Sequence, residues 1–299
     1  MQAWQLLAAA RRVRLGGQGQ ATGTLAGGYR SAFRGAGIEF EEFREYAPGD
    51  DAAAIDWKVS SRLSRPFVKR YREERERTVM LAVDASASMR VPGPKASALE
   101  TASLAAVTLA LSAAESRDRV GLVLFSDRVE AFVPPGKGRG QPHAVAAALA
   151  DAVPAGTGTD LRPALDLLGA AMRRRCVLFV LSDGLAPGLA AALAPLAARH
   201  EVTAGILCAD AAQPLPPYGL LTVVDVETGR RALLDCGDAG ARRRYAAARR
   251  ERRDVLRSTL SAAGVGVVEL AVGASPAPAL DAYFRRRARP GTGLRTARV

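Results

Sequence analysis

The segment LAVDASASMR, Leu81 to Arg90, sets one carboxylate and two hydroxyls at alternate positions where an apolar run stops: Asp84, Ser86 and Ser88. In a loop that curls over a strand end, alternate side chains can turn toward one point. A hard, oxygen-only set of this kind suits Mg²⁺ or Mn²⁺, which take octahedral oxygen ligands at about 2.1 Å and keep several waters. Two later segments offer the same groups. GTGTDLRPAL, from Gly156, carries Thr159 and Asp160 ahead of a helix, and LSDG carries Asp183. Taken singly, a Ser or Asp after a strand is an ordinary helix cap or turn residue. The recurrence at three successive boundaries is what argues for a cation. The candidate metal ligands on spacing alone are therefore Asp84, Ser86, Ser88, Thr159, Asp160 and Asp183. They form an incomplete cage of low ligand charge, with a position left for a carboxylate from outside.

These residues need elements to position them. Five short, nearly continuous apolar runs read as strands covered on both faces: 78–83, 120–125, 176–181, 202–208 and 265–270. Helical stretches alternate with them at 95–116, 142–152, 161–174, 188–199 and 240–263. The alternation predicts an α/β fold: a doubly wound, mostly parallel sheet with helices on both faces. In such a sheet all carboxyl ends of the strands lie along one edge, where ligands bind. Asp84, Ser126, Asp127, Ser182, Asp183 and Asp210 then share that edge. Val129 to Pro135 reads as an antiparallel edge strand, since prolines suit an edge. The stretch from Leu220 reads as a β-hairpin turning at Glu227 to Gly229, inserted at about 215–237. Residues 1–77 form an N-terminal extension of terminal amphipathic helix, glycine-rich link and motif region. Residues 78–287 form the sheet domain and 288–299 a C-terminal tail.

Composition narrows the function classes. The hydrophobic share of 48% suffices for a sizeable core. No apolar stretch reads as long and uninterrupted enough to cross a membrane. At the N-terminus the arginines follow the apolar residues, the reverse of a secretory signal. Three cysteines without a CxxC pattern read as buried free thiols, so a cytoplasmic protein is expected. His143 and His200 have no paired partner, which argues against a histidine zinc site. The net charge of +12 comes almost wholly from arginine, with runs from Ala241 and Phe284. Such runs could meet nucleic acid. However, Arg249, Glu251, Arg252, Arg253 and Asp254 mix signs at helical spacing, as a solvated helix face does. Nucleic acid is not the expected partner.

With DASAS, GTDL and LSDG in that order, the chain resembles the von Willebrand factor type A domain and its metal-ion-dependent adhesion site. The resemblance implies hydroxyl ligands at Ser86, Ser88 and Thr159, with Asp84 and Asp183 holding the ion directly or through water. The N-terminal region is similar to the bacterial family known as domain of unknown function 58. Gly37, Glu39, Phe40, Arg44, Tyr46, Gly49, Asp50, Ile55, Asp56 and Trp57 match its pattern, although alanines stand before Ile55 where the family often has an arginine. That likeness implies a non-catalytic adaptor or co-chaperone partnered by a MoxR-type AAA+ ATPase.

The N-terminal motif also has a local reading. Pro48-Gly49-Asp50 is a turn signal, Asp50 and Asp56 are within reach of Arg44, and Trp57 is a candidate anchor. A competing class is a Mg²⁺-dependent phosphohydrolase on a related sheet. It would need an aspartate two residues beyond Asp84 as acid and base, where Ser86 stands. With only two histidines, no serine triad is evident either. The expected function is a divalent-metal-dependent protein-interaction module, not an enzyme.

Overall fold

The computed structural model describes residues 2–15, 24–33, 38–47, 50–51, 55–73, 77–156, 158–209, 215–217 and 219–288. The glycine-rich link, Gly37, Pro48, Gly49, Asp210 and the tail beyond 288 lie outside them. In chain order the elements are α1 (Ala3–Leu15), α2 (Thr24–Ala32), β1 (Ile38–Glu45), α3 (Trp57–Leu63), β2 (Phe67–Glu73), β3 (Thr78–Asp84) and α4 (Ala87–Arg90). There follow α5 (Ala98–Glu115), β4 (Arg119–Phe125), β5 (Val129–Gly136), α6 (Gly140–Asp151), α7 (Arg162–Ala171), β6 (Val177–Ser182) and α8 (Leu189–Arg199). The chain closes with β7 (Glu201–Cys208), β8 (Leu220–Val224), β9 (Arg231–Asp235), α9 (Ala239–Ala262), β10 (Gly266–Ala271) and α10 (Ala277–Ala288). Two compact units result, residues 33–76 and residues 1–32 with 77–299. Thus α1 and α2 belong with the larger unit, across the boundary expected at residue 77.

The larger unit is a mixed α/β structure on a six-stranded sheet of order β10-β7-β6-β3-β4-β5. The first five strands in that order run parallel, and β5 closes one edge antiparallel, as its prolines foretell. Strands β3, β4 and β6 are almost wholly buried, which explains their continuous apolar sequences. Met80, Ala82, Leu178 and Val180 pack on one face with Ala164 and Leu168 of α7, Leu193 of α8 and Leu260 of α9. On the other face Phe179 meets Phe284 of α10, and α5 lies along β3, β4, β6 and β7. From β3 the chain proceeds through β4 to β5 on one side, then crosses to β6, β7 and β10 on the other. The order therefore reverses between β3 and β6. Crevices at such switch points are where open α/β sheets bind ligands.

One expectation is corrected here. Helix α5, Ala98–Glu115, is long and apolar enough to cross a membrane by length and composition. Its hydroxyls mask this in the sequence. Thr101, Thr108 and Ser112 each donate back to the carbonyl four residues earlier, so the helix presents few unsatisfied polar groups. In the fold it is a mostly buried core helix. None of the three cysteines is in a disulfide.

In the smaller unit β1 and β2 pair antiparallel. The motif residues build its corner. Arg44 pairs with Asp50 at 2.7 Å, and the other Asp50 oxygen accepts from the Ala47 amide at 2.9 Å. Asp56 caps α3, accepting from Lys58 N and Val59 N. Trp57, read from sequence as an anchor, is 71% exposed.

Candidate functional site

Asp84 ends β3 with no exposed surface. One carboxylate oxygen accepts from the Ser86 amide at 2.9 Å, and the other accepts from the Ser182 hydroxyl at 2.7 Å. Ser182 ends β6, so this bond joins the two strands that flank the switch point. Burial pushes the Asp84 carboxyl up to about 6, against the lowering effect of its Ser182 and Ser86 hydrogen bonds; the neighbouring Asp183 charge adds to the rise.

Beyond Asp84 the hydroxyls gather. Ser86 Oγ lies 3.2 Å from Ser88 Oγ. Ser88 Oγ donates to Glu227 Oε1 at 3.1 Å, and Thr159 Oγ1 donates to the same oxygen at 2.8 Å. Three expected ligands from two loops are thus linked by a carboxylate from the β8–β9 hairpin. Separations of this size serve as hydrogen bonds. They also match the edge of an octahedron whose arms are about 2.1 Å, roughly 3 Å. Among the described residues no three His, Cys, Asp or Glu side chains form a metal-binding group. The set here is of another kind, dominated by hydroxyls, and its hard oxygens fit Mg²⁺ or Mn²⁺.

The loop bearing Thr159 is braced from several sides. The Asp160 amide donates to the Ser126 carbonyl at 2.9 Å. Arg90, at the end of α4, donates to the carbonyls of Pro154 and Gly156 at 3.0 and 2.7 Å. Glu130 of β5 accepts from the amides of Ala155 and Gly156 at 3.0 and 2.8 Å, and from the Ser126 hydroxyl. A Cβ at Gly156 would run into Ser126 and Asp127 side chains. Gly156→Ala is expected to cost about 1–3 kcal/mol and to displace Thr159. A urea melt checks the first, and an unchanged midpoint would refute this account of the loop.

Other acidic groups on this edge have local partners. Asp127 pairs with Arg128 at 2.7 Å and Asp160 with Arg162 at 2.7 Å. Asp183 accepts from the Leu185 amide at 2.9 Å, within its own loop, while its charge is felt by Asp84. The sequence reading placed Glu227 only in a turn and left Ser182, Glu130 and Arg90 without a role. A usable signal existed for Glu227. The hairpin lies between a parallel strand and the following helix, and such connections emerge at the carboxyl edge. An acidic tip there is bound to lie on the same edge as Asp84.

The family model described as "Protein of unknown function DUF58" matches residues 42–255. Uncharacterized proteins of Mycobacterium bovis and Mycobacterium tuberculosis are 32% identical over 228 residues, 75% of this chain and 72% of theirs. Among solved structures, the chain is similar to a conserved hypothetical protein BatB from Bacteroides thetaiotaomicron. Identity there is 18% and the TM-score 0.45, over 71% of this chain and 98% of that one. It is also similar to an aerotolerance-related membrane protein from Bacteroides fragilis, at 16% identity and TM-score 0.44, over 70% and 98%.

Proposed function

The chain belongs to the DUF58 family, and from that premise we propose that it is a non-catalytic protein-interaction module of the von Willebrand factor type A kind, dependent on Mg²⁺ or Mn²⁺. The observation that carries this is the convergence of Asp84, Ser86, Ser88 and Thr159 at the β3–β6 switch point, with hydroxyl oxygens 2.8 to 3.2 Å from their neighbours. Ser86, Ser88 and Thr159 would hold the ion directly, with Asp84 and Asp183 behind or beside them. A bound cation supplies a positive centre to which an acidic side chain of a partner attaches. The chain's own part is to hold the hydroxyls in place through the Asp84–Ser182 bond and the braces on Pro154, Gly156 and Asp160. A MoxR-type AAA+ ATPase is the proposed partner, on the resemblance of the N-terminal motif. A cytoplasmic compartment is proposed on three cysteines that form no disulfide.

We infer no catalytic role for the two histidines. His143 donates from its ring Nδ1–H to the Arg139 carbonyl at the start of its own helix. His200 is buried just before β7, at the opposite end of the strands from Asp84.

Mn²⁺ titration followed by electron paramagnetic resonance tests the reading. The wild-type chain should take up one ion. Asp84→Ala should lose binding, and Thr159→Ala should weaken it about tenfold, the effect of about 1.4 kcal/mol. Equal Mn²⁺ affinity in wild type and both variants would remove the site. Retention of partner proteins on immobilised chain in Mg²⁺ but not in EDTA would then show what the ion serves.

A further inference from the structure

We propose that Glu227 is a built-in occupant of the position an acidic partner would take, so that the β8–β9 hairpin closes the site from within the chain. The inference rests on the metal-dependent reading above. The position expected to await an outside carboxylate instead has one beside it, accepting hydrogen bonds from both Ser88 and Thr159.

The hairpin is built to aim that carboxylate. At its tip the Asp225 side chain accepts from the amides of Glu227 and Thr228, at 3.0 and 3.3 Å. The Gly229 amide donates to the Asp225 carbonyl at 2.7 Å, and Asp225 N donates to the Arg230 carbonyl. Gly229 takes φ +70°, a conformation open to glycine. At the base, Cys236 is buried, and its carbonyl accepts from Arg242 of α9. Between base and tip the strands are largely exposed, with Leu220, Val224 and Leu233 at 64, 49 and 66%. The hairpin is therefore anchored at its root, and at its tip Glu227 ties it to Ser88 and Thr159. A contact of that size competes on equal chemical terms with a carboxylate from another protein. A partner then sees an affinity lowered by the fraction of chains in which the hairpin is lifted.

Hydrogen exchange of residues 220–235, with and without saturating Mn²⁺, tests this on the full chain. In wild type, Mn²⁺ should slow exchange of the hairpin amides about tenfold or more. In Glu227→Gln, Mn²⁺ should still bind but leave hairpin exchange unchanged, and the bound ion should show higher water-proton relaxivity because a position has opened to solvent. Equal protection by Mn²⁺ in wild type and Glu227→Gln would overturn the inference and leave the metal site standing. No Mn²⁺ uptake by wild type, or uptake indifferent to Asp84→Ala, would overturn the metal-dependent reading and this inference with it.

Discussion

In EDTA at pH 7.5, Asp84→Asn should melt above wild type, and saturating Mg²⁺ should reverse the order. The carboxylate is fully buried, and the hydrogen bonds to it come from neutral groups, Ser182 Oγ and Ser86 N. A buried charge without a cation costs stability. The sign follows from the direction of the shift. Burial raises the folded-state carboxyl from its usual 3.8 to about 6, so the fold holds this proton more tightly than the unfolded chain does. Stability from this group is then fully present below about pH 4 and lost as pH rises through about 6. Two pH units correspond to about 3 kcal/mol. Asparagine keeps the shape: its oxygen can accept from Ser86 N, and its amide can donate to the Ser182 hydroxyl, which accepts as well as donates. Part of the cost should therefore be recovered, about 1–2 kcal/mol, or a few degrees in Tm for a chain of this size. At pH 5, where Asp84 is mostly protonated, the gap should narrow. Mg²⁺ at about a hundred times its Kd should add about 2.7 kcal/mol to wild type and little to the variant. Calorimetry at the two pH values, with Mg²⁺ and with EDTA, reads all of this. A wild type more stable than Asp84→Asn in EDTA at pH 7.5 would mean that the carboxylate is structural.

The sheet was legible because its strands are covered on both faces. Continuous runs such as VMLAV and VLFVL leave no other reading once helices separate them, and β5 followed from its prolines. Asp84, Ser86, Ser88 and Thr159 were legible for a related reason: polar residues that interrupt an apolar pattern at a strand end stand out. Strand order was not, because parallel pairing leaves no local mark. The reversal between β3 and β6 that brings Ser182 onto Asp84 appears only in three dimensions. Glu227 was hidden by distance, 139 residues from Ser88 and 68 from Thr159. In the motif region the pairing of Arg44 with Asp50 was legible from their spacing, while the helix-capping task of Asp56 was not.

Phe284→Ala should be the most damaging single change among the described residues at the C-terminus, costing about 3–5 kcal/mol. The sequence FRRRARP invites attention to its arginines, but the phenylalanine is the residue buried without exposed surface. Its ring meets Phe179 of β6 edge-on at 6.3 Å, Tyr29 of α2 at 5.7 Å and Tyr283 at 5.7 Å. A Cβ on Gly28 would come within 3.3 Å of Phe284 Cβ, so α2 and α10 approach closely here. The truncation would open a cavity among three rings that join α2, α10 and the sheet. Against a total stability of about 5–15 kcal/mol for a typical domain, that is a large share. The arginines beside it have local tasks: Arg287 pairs with Glu201 at 3.0 Å and Arg285 with Asp281 at 2.5 Å. Arg285 is exposed, and Arg285→Ala should cost less than about 1 kcal/mol. Urea unfolding of the two variants separates the views of this segment. If Phe284→Ala matches wild type while Arg285→Ala does not, α10 is a charged appendage and not part of the core. The expected order makes the arginine run the solvated side of a core helix. That weakens the case for a nucleic-acid surface and leaves the strand-end cluster as the proposed place of contact with a partner.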